Sequence, residues 1–101
     1  MLQVTHGAAA LLTELRRTQD VPDSYGLRVF PEASNPGEVS IAIAFAEEPV
    51  HGDQVTEADG LQVFVASELA GPLEDTAIDV TDANGDSRLV FRPQSEAAPP
   101  A

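Results

Sequence analysis

With 101 residues, no cysteine, and 17 acidic side chains against five basic ones, the chain has room for one hydrophobic core and carries a formal net charge of −12. These numbers exclude a disulfide scaffold and any metal or iron–sulfur centre held by the chain's own thiolates. They also oppose binding to phosphate backbones and to anionic membrane surfaces.

Apolar residues at 43% exclude disorder for the chain as a whole, and an aromatic content of only 5% means that the core is built mainly from Val, Leu, Ile and Ala. All five basic residues are arginines: Arg16, Arg17, Arg28, Arg88 and Arg92. The acidic excess reads first as a solvated shell and second as a means of steering toward a basic partner. No apolar run approaches the ~20 residues that span a bilayer. Met1-Leu2-Gln3-Val4 is not a basic region leading into an apolar stretch, so no signal peptide is expected and the cytoplasm is the default compartment.

A short strand is expected over Leu2 to Val4. Thr5 follows as an N-cap, and Ala8, Leu11, Leu12 and Leu15 then mark one face of a helix from His6 to Thr18, with Arg16 and Arg17 suited to its C-terminal end. Asp20 to Ser24 reads as a turn. Tyr25 to Phe30 reads as a strand stopped by Pro31, and Pro31 to Gly37 as a loop. Val39, Ile41, Ile43 and Phe45 alternate with Ser40, Ala42, Ala44 and Ala46, a strand with one bulky face and one small face against which another layer is expected to approach. Further strands are predicted at Gln54 to Thr56 and Leu61 to Ala66, with a short helix at Ser67 to Glu74 capped by Ser67. Thr76 to Thr81 and Arg88 to Arg92 flank Asn84-Gly85, a strong hairpin signal. The domain is expected to occupy residues 1–93, with residues 94–101 as a disordered tail.

Few residues suggest chemistry. His6 in the first helical turn reads as a surface residue. His51 has Glu47, Glu48 and Asp53 nearby, a set that a divalent cation could use, but Pro49 and Gly52 mark the segment as a solvent-facing turn. Asp82, Asn84 and Asp86 have the spacing that opens a calcium loop. Ser87 and Pro93 stand where that loop needs glycine and a bidentate glutamate, so the hairpin reading prevails. There is no lysine and no glycine-flanked serine of the nucleophile-elbow type. The chain is therefore expected not to be an enzyme, and no catalytic, cofactor-binding or metal-binding residue is nominated.

Several strings in order resemble the HesB/IscA family of A-type iron–sulfur carriers. Tyr25-Gly26-Leu27-Arg28-Val29 is similar to the family's Gly-Leu-Arg-Val strand, and Phe45-Ala46-Glu47-Glu48-Pro49 with Gly52-Asp53 and Asp59-Gly60 to its central block. Thr76-Ala77-Ile78-Asp79-Val80 looks like its Thr-x-Ile-Asp strand, and Leu89-Val90-Phe91 with Pro93 like its final strand. The resemblance spans residues 2 to 93. It implies an α+β domain, a small sandwich or flattened barrel of mixed or antiparallel strands, with the N-terminal helix and a short second helix covering its open sides. Family members hold iron or a cluster with a loop cysteine and a C-terminal Cys-Gly-Cys pair. Carried onto this chain, the first falls on Pro36 and the pair falls around Pro99 to Ala101, so the three thiolates are missing. The resemblance thus implies the fold without the carrier chemistry, and a protein acting through contacts with iron–sulfur assembly proteins, its oligomeric state left open. The alternative is a module that binds a metal or small ligand through oxygen and imidazole groups, using His51 and nearby acids or the Phe30 to Glu38 loop.

Overall fold

The computed structural model describes residues 1–35 and 37–101, and the side chains of residues 33–35, 38 and 39 are outside the description. Thr5 opens the long helix as its sequence position demands. Its backbone is extended (φ −72°, ψ 163°) and its hydroxyl accepts from the Ala8 N–H at 3.2 Å, capping α1 (His6–Thr18). Ala8, Ala9 and Leu12 form the buried stripe of α1, while Arg16 and Arg17 occupy its last turn, where positive charge complements the exposed carbonyls.

Two mixed sheets share the core with this helix. The three-stranded sheet has the order β1 (Gln3–Val4), β6 (Thr76–Ala83), β7 (Asp86–Pro93), with β1 parallel and β7 antiparallel to β6. The four-stranded sheet has the order β3 (Glu38–Ala46), β2 (Gly26–Asn35), β5 (Leu61–Val65), β4 (Gln54–Ala58), in which only the β2–β5 pair is parallel. Leu27, Val29, Val63 and Val65 from the larger sheet meet Leu2, Val4 and Ile78 from the smaller one, with Leu12 of α1 and Leu69 of the short α2 (Ser67–Ala70) in the same cluster. The architecture is the expected α+β fold with an N-terminal helix and a short second helix.

Four local expectations change. Pro31 does not end its strand, because β2 continues to Asn35 with Pro31 opposite Ile41. The Val29 carbonyl accepts from the Ala66 N–H, so Val29 faces β5 and, two residues on, the Pro31 nitrogen faces the same side, beyond the last residue of β5. No ladder bond to β3 is lost, which is where a strand tolerates proline. Ser67 is the first residue of α2 rather than its cap; Ala66 precedes the helix without a side-chain cap bond, and the Ser67 hydroxyl donates to Glu68. The small face of β3 is not covered by a second layer, since β3 is an outer strand and Ala44 is exposed.

The fourth change concerns residues 94–101. Instead of hanging free, they form a 3₁₀ turn at Gln94–Glu96 and return to the start of the chain. The Gln94 side chain donates to the carbonyls of Met1, Glu74 and Thr76; the Ala101 N–H donates to the Val4 carbonyl at 2.9 Å, and Pro100 bridges Thr5. The open side of β1 supplies the backbone partners that composition alone does not reveal. The Asn84-Gly85 hairpin is as expected, with φ of 54° and 82° at its two central residues. Gly85→Ala is expected to lower stability by about 1–2 kcal/mol, the cost of a side chain in the left-handed region, measurable as a lower urea midpoint with unchanged slope.

Candidate functional site

A two-bond ion pair lies inside the strings that the sequence singles out. Arg28 on β2 clamps Asp53 with two hydrogen bonds, Nε to Oδ2 at 2.9 Å and Nη2 to Oδ1 at 3.1 Å, while its guanidinium lies 5.3 Å from the Phe30 ring centre. The Asp53 side chain is shielded from solvent and also accepts from the Val50 N–H at 2.9 Å. The hydrogen bond from Arg28 leads in holding the Asp53 carboxyl below its ordinary range; burial opposes it and the Val50 N–H adds to it. Arg28 is correspondingly pushed up, chiefly by the bond to Asp53.

This pair decides the fate of the His51 set. Asp53 is committed to Arg28, while His51, Glu47 and Glu48 are exposed. Among the described residues no three His, Cys, Asp or Glu side chains are grouped closely enough to hold a metal ion. Asp82 accepts from the Ser87 hydroxyl at 2.8 Å as part of the hairpin. His6 is exposed as expected, but its Nδ1 is 2.7 Å from Asp59 Oδ2, a contact across 53 residues that no sequence spacing announces.

Asp79 forms a second node, and this residue is buried. Its Oδ1 accepts from the Thr5 hydroxyl at 3.0 Å and the Val80 N–H at 2.8 Å, its Oδ2 accepts from the Ala98 N–H at 3.2 Å, and Arg92 Nε stands 3.3 Å from Oδ2. The Val80 N–H leads in holding this carboxyl below its ordinary range against the opposing effect of burial, with Ala98, Thr5 and Arg92 adding to it. The node joins the α1 cap, β6, β7 and the returning C-terminal segment.

Two mainly apolar hollows open on the surface. Beside β3, a hollow of about 430 Å³ is lined by Leu12, Leu15, Gln19 and Val21 from the α1 side and by Leu27, Ile43, Ala44 and Phe45 from the sheet. A second hollow, of about 420 Å³, lies between Ile41 of β3 and Phe91, Arg92 and Pro93 of β7, with Leu73, Asp75 and Thr76. Ile41, Ile43 and Phe91 are each about 40% exposed.

No family model matches the sequence, and no curated protein is significantly similar to it. Solved structures are similar in fold. IscA crystallised with its [2Fe-2S] cluster superimposes with a TM-score of 0.77 at 22% identity, over 92% of this chain and 85% of that one. The fold is IscA-like. SufA of Escherichia coli, involved in biosynthesis of iron–sulfur clusters, gives a TM-score of 0.72 at 22% identity over 96% of this chain and 82% of that one. A protein from Aquifex aeolicus solved by solution NMR gives 0.67 at 18% over 90% and 89%.

Within this IscA-like frame, a cluster is tested by its donor set. The chain contains no cysteine, and at the positions onto which the resemblance carries the C-terminal thiolate pair stand Pro99, Pro100 and Ala101, which offer no side-chain donor. Their backbones are engaged instead: the Pro99 carbonyl accepts from the His6 N–H at 3.4 Å, and the Ala101 N–H bonds Val4. Pro36, where the loop thiolate is carried, lies outside the described residues. The residues present do not fit a thiolate-held cluster.

Proposed function

We propose that this chain is a non-catalytic, cluster-free version of the IscA-like fold that acts through protein contacts, as an accessory or regulatory partner in iron–sulfur cluster biogenesis. The observation that carries the reading is the pairing of an IscA-like fold, at a TM-score of 0.77, with the complete absence of cysteine. The polar nodes at Asp53 and Asp79 and the alternating core pattern are intact although the ligands are missing, which supports a role for the folded surface. The pathway assignment is supported by the neighbours, SufA being involved in biosynthesis of iron–sulfur clusters and IscA carrying a [2Fe-2S] cluster, and in this reading the cluster chemistry resides in the partner.

The test is capture of the N-terminally tagged chain from its native organism at moderate salt, followed by mass spectrometry of what it retains. Moderate salt matters because a −12 protein collects basic proteins indiscriminately when charges are unscreened. Cysteine desulfurase, scaffold or cysteine-bearing IscA-like proteins are the expected partners, and their absence under every native condition would overturn the reading. A second expected outcome needs only the purified chain. Anaerobic incubation with iron and sulfide, followed by desalting, leaves no visible thiolate-to-iron absorbance; a retained, stoichiometric chromophore contradicts the cluster-free assignment.

A further inference from the structure

β3 is an outer strand of the four-stranded sheet. Because Val29 directs its carbonyl to the Ala66 N–H, Phe30 faces the other way, and the register Phe30↔Ala42 turns the backbone groups of Ala42 and Ala44 toward β2. The N–H and C=O groups of Ile41, Ile43 and Phe45 consequently point out of the sheet, on a side where no strand among the described residues pairs with them.

Edges of this kind are ordinarily blunted by lysine, proline, an inward charge or a bulge. From Ser40 to Ala46 the strand contains none of these residues, and the one irregularity of its pairing lies beyond that stretch, opposite Ala33 and Asn35. The two apolar hollows flank the same strand, one against Ile43 and Phe45 and the other against Ile41. A strand laid along β3 would direct every second side chain to the face where they open. Main-chain bonding along an edge and pockets for alternate side chains are the two components of peptide recognition by strand addition.

The rim selects among occupants. Glu47 and Glu48 follow β3, Glu32 sits opposite Ser40, and Asp75 lines the second hollow. The nearby guanidiniums are engaged within the chain, Arg16 with the Tyr25 carbonyl at 2.8 Å and Arg92 with Asp79. A second copy would bring its own net charge of −12 and its own Glu47 and Glu48 against this rim, like against like. We infer that β3 is the docking edge for an extended segment of a partner protein, apolar at alternate positions and flanked by lysine or arginine. This rests on the protein-contact reading above and assigns its surface and the chemistry of its partner.

The probe is a synthetic peptide of about ten residues in which valine alternates with threonine between two pairs of lysines. Its control has the same composition with the valines and threonines shuffled out of alternation. At moderate salt the alternating peptide is expected to bind at least about tenfold more tightly than the control, a difference of ~1.4 kcal/mol. In its complex, amide exchange at Ile41, Ile43 and Phe45 is expected to slow at least about tenfold while Ala42 and Ala44 are unchanged. Ile43→Pro removes one outward N–H without touching the β2 ladder and should reduce the alternating peptide to the level of the control. The exchange measurement uses the unaltered chain and stands even if that variant folds poorly.

Equal affinity for the two peptides would reduce the effect to charge and overturn the proposal. So would unchanged exchange at the three outward amides, or protection already present in a dimer of the chain alone. The two readings also separate. Partners captured equally by Ile43→Pro and by the unaltered chain leave the protein-contact function standing and remove this edge. Selective peptide binding with no assembly protein captured leaves the edge and removes the biogenesis assignment.

Discussion

Asp79→Ala is expected to cost about 2–4 kcal/mol of folding stability, because it strips acceptors from the Thr5 hydroxyl and from the Val80 and Ala98 N–H groups at once and leaves Arg92 without its carboxylate. Asp79→Asn keeps the volume and an oxygen for Thr5 and Val80 but replaces the second oxygen with a donor facing the Ala98 N–H, so an intermediate loss is expected. Urea titrations of the two variants measure the difference, and a loss under 1 kcal/mol for Asp79→Ala would show that the node contributes little. The pH dependence has a definite sign. Asp79 and Asp53 both have folded-state pKa values below those of the unfolded chain, near ~3.9. Their contribution is therefore fully present above the unfolded value and is lost as pH falls through the folded one. Below about pH 4 the unfolded state binds more protons than the native state, and stability drops with acidification. In Asp79→Ala that acid slope should be shallower than in the unaltered chain.

The second large effect is expected at Phe64. Its ring is 1% exposed although it points to the face of the larger sheet opposite the main core, in register with Arg28. Gly26 makes room for it: a Cβ there would lie 3.0 Å from the ring and 2.7 Å from the Gln62 carbonyl oxygen. Phe64→Ala should cost about 3–5 kcal/mol through lost burial and an unfilled cavity. Gly26→Ala should cost about 1–3 kcal/mol by overpacking. Phe64→Leu should recover only part of that loss, because the clash with the Gln62 oxygen involves backbone and remains. Full recovery in the double variant would show that the ring alone dictates glycine at this position.

Local signals place several elements correctly. Thr5 caps its own helix through a residue three positions away, and Asn84-Gly85 closes a hairpin between neighbours. The resemblance to the HesB/IscA family finds the right strings, and the structure gives their physical content. Gly26 accommodates Phe64, Arg28 holds Asp53 across 25 residues, and Asp79 gathers Thr5 from 74 residues away. None of these pairings has a spacing rule, so none can be derived from composition or period. The C-terminal segment is misread for the same reason: Ala98 and Ala101 have no polar side chains to announce an attachment, and their N–H groups make it. The apolar edge was in plain view in the alternation of Ile41, Ile43 and Phe45. The outer position of β3 depends on which strands pair, and that is a property of the whole topology.

Pro31 breaks a strand after all, but not its own. In the parallel ladder between β2 and β5, the next bond after Val29 would run from the nitrogen of residue 31 to the Ala66 carbonyl, and proline has no hydrogen to give. The Ala66 carbonyl instead accepts from the Leu69 N–H at 2.9 Å, which is the first bond of the α2 turn. The conversion of β5 into a helix at Ala66 is thus written in part on a different strand, 35 positions earlier, by a withheld donor. Restoring that donor, with Pro31→Val, would offer β5 a way to continue and set a sheet bond in competition with the helix for the same oxygen.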